Sequence, residues 1–131
     1  MINDIDRKSL IDYRLHQANE TIDLVKFLLE SKKLVVAVNR IYYGMYYSLT
    51  ALALKHKFET SKHTQLIGWF NKNFISTKII EPKFGKILRN AFQNRTKGDY
   101  DAFIKFSYDE VKVMHLEMEQ FIMQIEKNIK S

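Results

Sequence analysis

Only one proline and four isolated glycines occur in this 131-residue chain, and this scarcity limits the folds that it can adopt. Tight hairpins and long irregular loops depend on these two residue types, so the turn signals of an all-β chain are missing. Hydrophobic residues make up 46% of the chain and charged residues 27%, a balance typical of a folded domain. The composition therefore predicts an all-α fold in a single domain spanning residues 1–131.

The spacing of apolar residues predicts the first three helices. Residues 6–31 carry apolar side chains alternately four and three positions apart, which places them on one face of a helix. Residues 34–57 are apolar on nearly every side, so this helix should lie at the centre of the fold. A short helix is predicted over residues 62–75, after a polar loop.

Capping residues predict the last two helices. Pro82 suits the first position of a helix, which should end within residues 94–97 because Gly98 follows. Ser107 and Glu110 have the spacing of a capping box, which predicts that a final amphipathic helix begins there. These helices together predict a helical bundle.

Several classes of site and location are disfavoured by the sequence. The chain has no cysteine, which excludes disulfides and a cysteine nucleophile, and its acidic N-terminus is unlike a signal peptide. Asn39 and Arg40 interrupt the apolar helix, which argues against a membrane span. The four histidines lack metal-ligand spacing and the glycines form no phosphate loop. We therefore expect a cytoplasmic protein with no metal, no cofactor and no membrane contact.

Positive charge is concentrated in the middle of the chain. The net charge is +6, but residues 55–97 alone contribute +8 and the rest of the chain −2. Aromatic residues are interleaved with these lysines and arginines, as in a surface that neutralises phosphates and stacks bases. The alternative is that the lysines keep a small domain soluble while the aromatic residues fill its core.

The central helix contains the sequence NRIYYGMYYSLT, which divides into two faces. The face that we interpret as core packing carries Tyr42, Tyr46 and Leu49. The face that we interpret as the polar floor of a cleft carries Arg40, Tyr43 and Tyr47. An arginine inside an apolar helix requires a partner, and Asp99 or Asp101 could form an ion pair with Arg40 or Arg95 that only fixes the packing register.

Two sequence blocks, in this order, resemble the HEPN superfamily of small prokaryotic helical proteins. The first is A-x-x-R-x-Y-Y-x-x-Y, filled by Ala37, Arg40, Tyr42, Tyr43 and Tyr46. The second is R-x-x-x-D-Y, filled by Arg95, Asp99 and Tyr100. The resemblance extends over about residues 8–128. It implies an up-and-down bundle of four to five helices that forms a homodimer, with a cleft between the protomers.

The resemblance also implies a function, and the chain departs from the family at one point. Many members resemble metal-independent ribonuclease toxins or defence proteins, often encoded beside a nucleotidyltransferase partner. Their catalytic signature is an arginine followed by a histidine, with four to six residues between them. Neither Arg89 nor Arg95 has this histidine. His63 could replace it if its loop folds over the arginines, although a histidine there is more simply a solvated loop residue.

Three functions follow as hypotheses. The first is a module of a toxin-antitoxin or defence pair that binds RNA or a nucleotide, with weak or lost catalysis. The second is an active metal-independent endoribonuclease, and the third is a protein-interaction subunit for a nucleotidyltransferase. The candidate catalytic residues are Arg95, Arg89, Tyr100 and His63. The candidate cleft residues are Arg40, Tyr43, Tyr47, Lys62, Arg95, Asp99 and Tyr100.

Overall fold

The computed structural model describes residues 2–131, and within that range it contains helices and connecting loops but no strand. The helices are α1 (Asp4–Glu30), α2 (Leu34–Lys55), α3 (His63–Phe70), α4 (Pro82–Tyr100) and α5 (Tyr108–Lys130). A single π-helical turn (Asn71–Ile75) continues α3. The prediction of an all-α helical bundle is confirmed.

The central position of α2 follows from its apolar composition. It contacts each of the other four helices, and its fully buried residues include Ile41, Leu49 and Leu52. Gly44 of α2 faces both α1 and α5: a Cβ there would lie 2.1 Å from Cε of Met118 and 3.2 Å from Cγ2 of Thr21. The absence of a side chain at Gly44 therefore lets α1 and α5 pack closely against α2 at this point.

Sequence signals locate most of the helix ends. Pro82 is the first residue of α4, and Ser107 and Glu110 form both bonds of the capping box at the start of α5. The expectation that Gly98 ends α4 was wrong, since the helix continues to Tyr100. Asp99 in the extra turn accepts a hydrogen bond from Asn39 of α2 and forms an ion pair with Arg95, which offsets the roughly 1 kcal/mol that a helical glycine costs.

Two helices end in a Schellman motif that places a lysine in the left-handed region. After α2, Lys57 has φ 58°, its N–H donates to the carbonyl of Leu54, and the N–H of Phe58 donates to the carbonyl of Ala53. Lys32 has the same position after α1, with φ 57°. Glycine is the residue that adopts this conformation without a steric cost from Cβ.

We expect Lys57→Gly to raise the free energy of unfolding by about 0.5–1 kcal/mol, because it removes this steric cost. Chemical denaturation would measure the change. Lys26→Gly is the matched control, since Lys26 is exposed inside α1, where glycine should lower stability by about 1 kcal/mol. A loss of stability in both variants would contradict our interpretation of the Lys57 conformation.

Candidate functional site

Arg95 of α4 meets the tyrosines of α2. Its Nη2 donates a hydrogen bond to the hydroxyl of Tyr43 at 2.9 Å, and its Cζ lies 5.4–5.9 Å from the ring centres of Tyr42, Tyr43 and Phe92. Nε lies 3.1 Å from Oδ2 of Asp99, one helical turn further along α4. This Nε–H is buried and has no aligned hydrogen bond within residues 2–131, so the contact with Asp99 is an ion pair only.

Arg40 joins the same group of side chains from α2. Its Nε and Nη2 donate to Oδ1 of Asn39 at 3.0 and 2.8 Å, and Nδ2 of Asn39 donates to Oδ1 of Asp99 at 3.1 Å. The Cζ of Arg40 lies 4.7 Å from the ring centre of Tyr43, so two guanidinium groups approach one tyrosine ring. Asp99 is the single carboxylate that contacts this network in the part of the chain that the structure describes.

His63 completes the group from a third element. It is the first residue of α3, its Nδ1 lies 2.6 Å from the hydroxyl of Tyr42, and its ring stacks on Tyr46 with centres 4.4 Å apart. The simpler interpretation of His63 as a solvated loop residue therefore does not describe it, because it is half-buried between tyrosines. We call the set Arg40, Tyr43, His63, Arg95 and Asp99 the arginine cluster.

Burial sets the protonation of the Tyr42–His63 pair. Desolvation raises the pKa of Tyr42 well above its usual value, so its hydroxyl keeps its proton. Desolvation and, second, the charge of Arg95 lower the pKa of His63, so the imidazole is neutral near pH 7. The arrangement that satisfies both groups has Tyr42 donating to Nδ1, which leaves the proton of His63 on Nε2. Nε2–H is then a hydrogen-bond donor with no partner within residues 2–131.

Four of the sequence-predicted residues lie elsewhere or at the margin of the cluster. Tyr47 lies at the edge, with its ring centre 6.3 Å from that of Tyr43, and Lys62 is exposed immediately before His63. Tyr100 is 81% exposed beyond the ion pair of α4. Arg89 is exposed on another face of α4, beside a groove that Ile67 also lines.

Three residues that contribute to the cluster were not among the predicted site residues. Asn39 bridges Arg40 to Asp99, Tyr42 holds His63, and Phe92 packs beside Arg95. The signal for Asn39 was its place beside Arg40 in an apolar helix. Tyr42 was assigned to the core, and it is fully buried, but its hydroxyl reaches the cluster.

The positively charged segment, residues 55–97, contributes mostly exposed cations that form no ion pair within residues 2–131. Of its ten lysines and arginines, eight are exposed and only Arg95 lies within ion-pair distance of a carboxylate, among the residues that the structure covers. Lys55 differs, because its Nζ donates to backbone carbonyls at the end of α5, including that of Ile129. The exposed cations are therefore available to anions in solution.

Two further findings bear on the type of site. Across residues 2–131, no three side chains of the His, Cys, Asp and Glu types are grouped closely enough to hold a metal ion. No helix in the same range has the length and apolar character needed to cross a membrane. Five cavities of about 280–510 Å³ are each lined by residues outside the arginine cluster, so no residue of the cluster faces one of these cavities.

The pKa of His63 and that of His56, which is also lowered by burial, give stability a pH dependence. Protonation of both rings is less favourable in the folded protein than in the unfolded chain. The free energy of unfolding should therefore be highest above about pH 6.5 and should fall as the pH decreases below that value. Denaturant unfolding at a series of pH values would measure this. His63→Asn should show a shallower acid-side decrease, and an unchanged decrease would contradict the burial of His63.

Comparison with known proteins gives consistent matches over nearly the whole chain. The family model described as HEPN domain matches residues 11–128. A UPF0332 protein of Thermotoga maritima is 35% identical over 124 residues, which cover 95% of this chain and 94% of the relative. "Putative toxin MJ0605" of Methanocaldococcus jannaschii is 30% identical over 125 residues, covering 95% and 92%. "Putative toxin MJ0142" of the same organism is 27% identical over 113 residues, covering 86% and 77%.

Proposed function

Because the chain belongs to the HEPN family, we propose that it is a toxin-like domain that binds single-stranded RNA, with a phosphate of the RNA held at the arginine cluster. The observation that carries this proposal is that the guanidinium groups of Arg40 and Arg95 lie over one tyrosine ring. Asp99 neutralises only one of these two charges. A bound phosphate would neutralise the excess and accept the hydrogen bonds that remain.

The donors of the cluster match the geometry of a phosphate. Arg95 uses Nη2 for Tyr43 and places Nε beside Asp99, and Arg40 uses Nε and Nη2 for Asn39, so each guanidinium keeps N–H groups for a ligand. Arginine presents a planar fork that fits phosphate oxygens. The Nε2–H of His63 adds a neutral donor on the side of α3.

The surroundings favour RNA over a free phosphate. Tyr43, Tyr46 and Tyr47 are half-buried along α2, so parts of their rings are accessible beside the cationic groups. Bases of a single strand stack on such rings while the backbone follows positive charge. The exposed lysines of residues 55–97 would add contacts that carry no sequence preference. The family resemblance implies a homodimer with a cleft between its protomers, and we include this homodimer in the proposal.

Binding of a labelled single-stranded RNA, measured over a range of salt concentrations, tests the proposal. We expect binding at about 50 mM salt, and we expect the logarithm of the affinity to decrease linearly with the logarithm of the salt concentration. A duplex DNA of the same length is the control and should bind more weakly. The proposal fails if no RNA binds at low salt.

One observation favours a second candidate, a metal-independent endoribonuclease: His63 lies in the arginine cluster although it is distant from Arg95 in the sequence. In this reaction a 2′-hydroxyl loses its proton to a base, a 2′-O–P bond forms, and the P–O5′ bond breaks as the leaving oxygen gains a proton. His63 could accept the first proton at Nε2 only in the tautomer that donates from Nδ1 to Tyr42. That tautomer leaves the buried Tyr42 proton without an acceptor, so we expect slow cleavage.

Incubation of RNA with the protein in excess EDTA tests this second function. Cleavage that is present in the wild type and absent in His63→Ala would support it. Cleavage that His63→Ala retains would indicate a contaminating nuclease or another base. Intact RNA in every sample would count against this second function.

A further inference from the structure

A cavity of about 310 Å³ lies beside the arginine cluster, between the first half of α1, the second half of α2 and the loop before α3. Its lining residues include Leu10, Arg14, Tyr46, Leu54, Phe58 and Glu59. This volume is at the lower end of the range for small-molecule sites, so the cavity suits one flat ring system rather than a large ligand.

Tyr46 connects this cavity to the arginine cluster. It lines the cavity, and its ring also stacks on His63, with ring centres 4.4 Å apart and an angle of 15°. Its ring centre is 6.0 Å from that of Tyr43, whose hydroxyl receives the hydrogen bond of Arg95. Tyr46 is therefore shared by the wall of the cavity and the tyrosines that border the arginine cluster.

The cavity combines apolar walls with two charged groups. Leu10, Leu54 and Phe58 supply the apolar surface. Arg14 donates to Gln17 at 2.9 Å through Nη1 and keeps its other N–H groups, while Glu59 is exposed. Neither charged side chain forms an ion pair within residues 2–131. Bases that are splayed out of a single strand are recognised by this combination, in which apolar surface receives the ring and polar groups bind its edge.

We propose that this cavity binds the base of the nucleotide whose phosphate lies on the arginine cluster. The inference rests on the proposed function, because the phosphate contact defines which nucleotide reaches the cavity. Arg14 donates to acceptors on the base edge and Glu59 accepts from its amino or ring N–H groups. The contact between the phosphate and the arginine cluster does not depend on the base. The cavity would supply the preference for particular bases.

Binding of short RNAs with and without bases tests this inference. The probes are labelled octamers of adenosine, cytidine and uridine, and an abasic octamer with the same phosphates. The wild type should bind its preferred homopolymer about tenfold or more tightly than the abasic octamer. Thr50→Trp, which fills the cavity from α2, should reduce this ratio towards one while the abasic affinity stays the same. Met123→Trp is the control, because it adds the same ring at an exposed position of α5 outside the cavity, and it should leave the ratio unchanged.

A second variant provides a test of the inference if the Thr50→Trp protein does not fold. Arg14→Gln combined with Glu59→Gln keeps the apolar walls and should change the order of preference among the three homopolymers. The inference is overturned if base-bearing and abasic octamers bind the wild type equally, or if a folded Thr50→Trp protein keeps the ratio, or if the double variant keeps the order of preference. Absence of binding to any octamer would instead overturn the proposed function.

Discussion

Replacing Arg95 with alanine should weaken RNA binding by about 10- to 100-fold. The change removes a half-buried guanidinium that is held by Tyr43 and Asp99, and hydrogen bonds to charged groups contribute about 1.5–3 kcal/mol each. It should also reduce the slope of log affinity against log salt by about one, because one phosphate contact is lost. Fluorescence anisotropy with a labelled single-stranded RNA would measure both effects.

Arg89→Ala is the matched control for this prediction. Arg89 lies on the same helix and carries the same charge, but it is exposed beside another groove. Its loss should weaken binding only about two- to threefold through general electrostatics. Equal losses of affinity for the two variants would mean that RNA binding depends only on the overall charge of the protein. The arginine cluster would then have no special role.

Gly44→Val should destabilise the fold by about 2–3 kcal/mol and lower the melting temperature by about 10 °C. A Cβ at this position would lie 2.1 Å from Cε of Met118, which is fully buried, and 3.2 Å from Cγ2 of Thr21. A valine would therefore displace the buried end of Met118 and press on Thr21, whose Cβ would lie 3.4 Å from the new Cβ. Thermal unfolding followed by circular dichroism would measure the change.

Gly68→Ala is the control, because a Cβ at Gly68 meets no atom within 4 Å. Alanine there should raise stability by about 0.5–1 kcal/mol, since it favours the helix without any clash. A Gly44→Val protein as stable as the wild type would contradict the close packing of the three helices. RNA binding by the Gly68→Ala protein should be unchanged.

Much of the fold could be predicted because its signals are local. Pro82 and the Ser107–Glu110 capping box mark helix starts through backbone hydrogen bonds within one turn. Gly98 misled the prediction because the contacts that extend α4 come from a different helix. Glycine only lowers the local helix preference, and the bond from Asn39 to Asp99 outweighs it.

The arginine cluster could be predicted only in part. Arg40 stood out as a charge in an apolar helix that requires a partner, and Asp99 was one of two carboxylates proposed to pair with Arg40 or Arg95. The position of His63 depends on where the start of α3 meets α2, and no spacing along the chain contains that information. The cavity beside Tyr46 was also not predictable, because it is formed by three separate segments.

We propose that an RNA phosphate binds at the arginine cluster, through Arg40, Arg95 and His63. Nuclear magnetic resonance titration of the His63 ring, with and without a saturating single-stranded RNA, tests this claim most directly. The pKa of His63 is lowered by burial and Arg95 in the free protein, and an adjacent phosphate should raise it because it stabilises the imidazolium. A clear rise on RNA binding is the predicted result. RNA that binds while the pKa of His63 stays unchanged would contradict the claim.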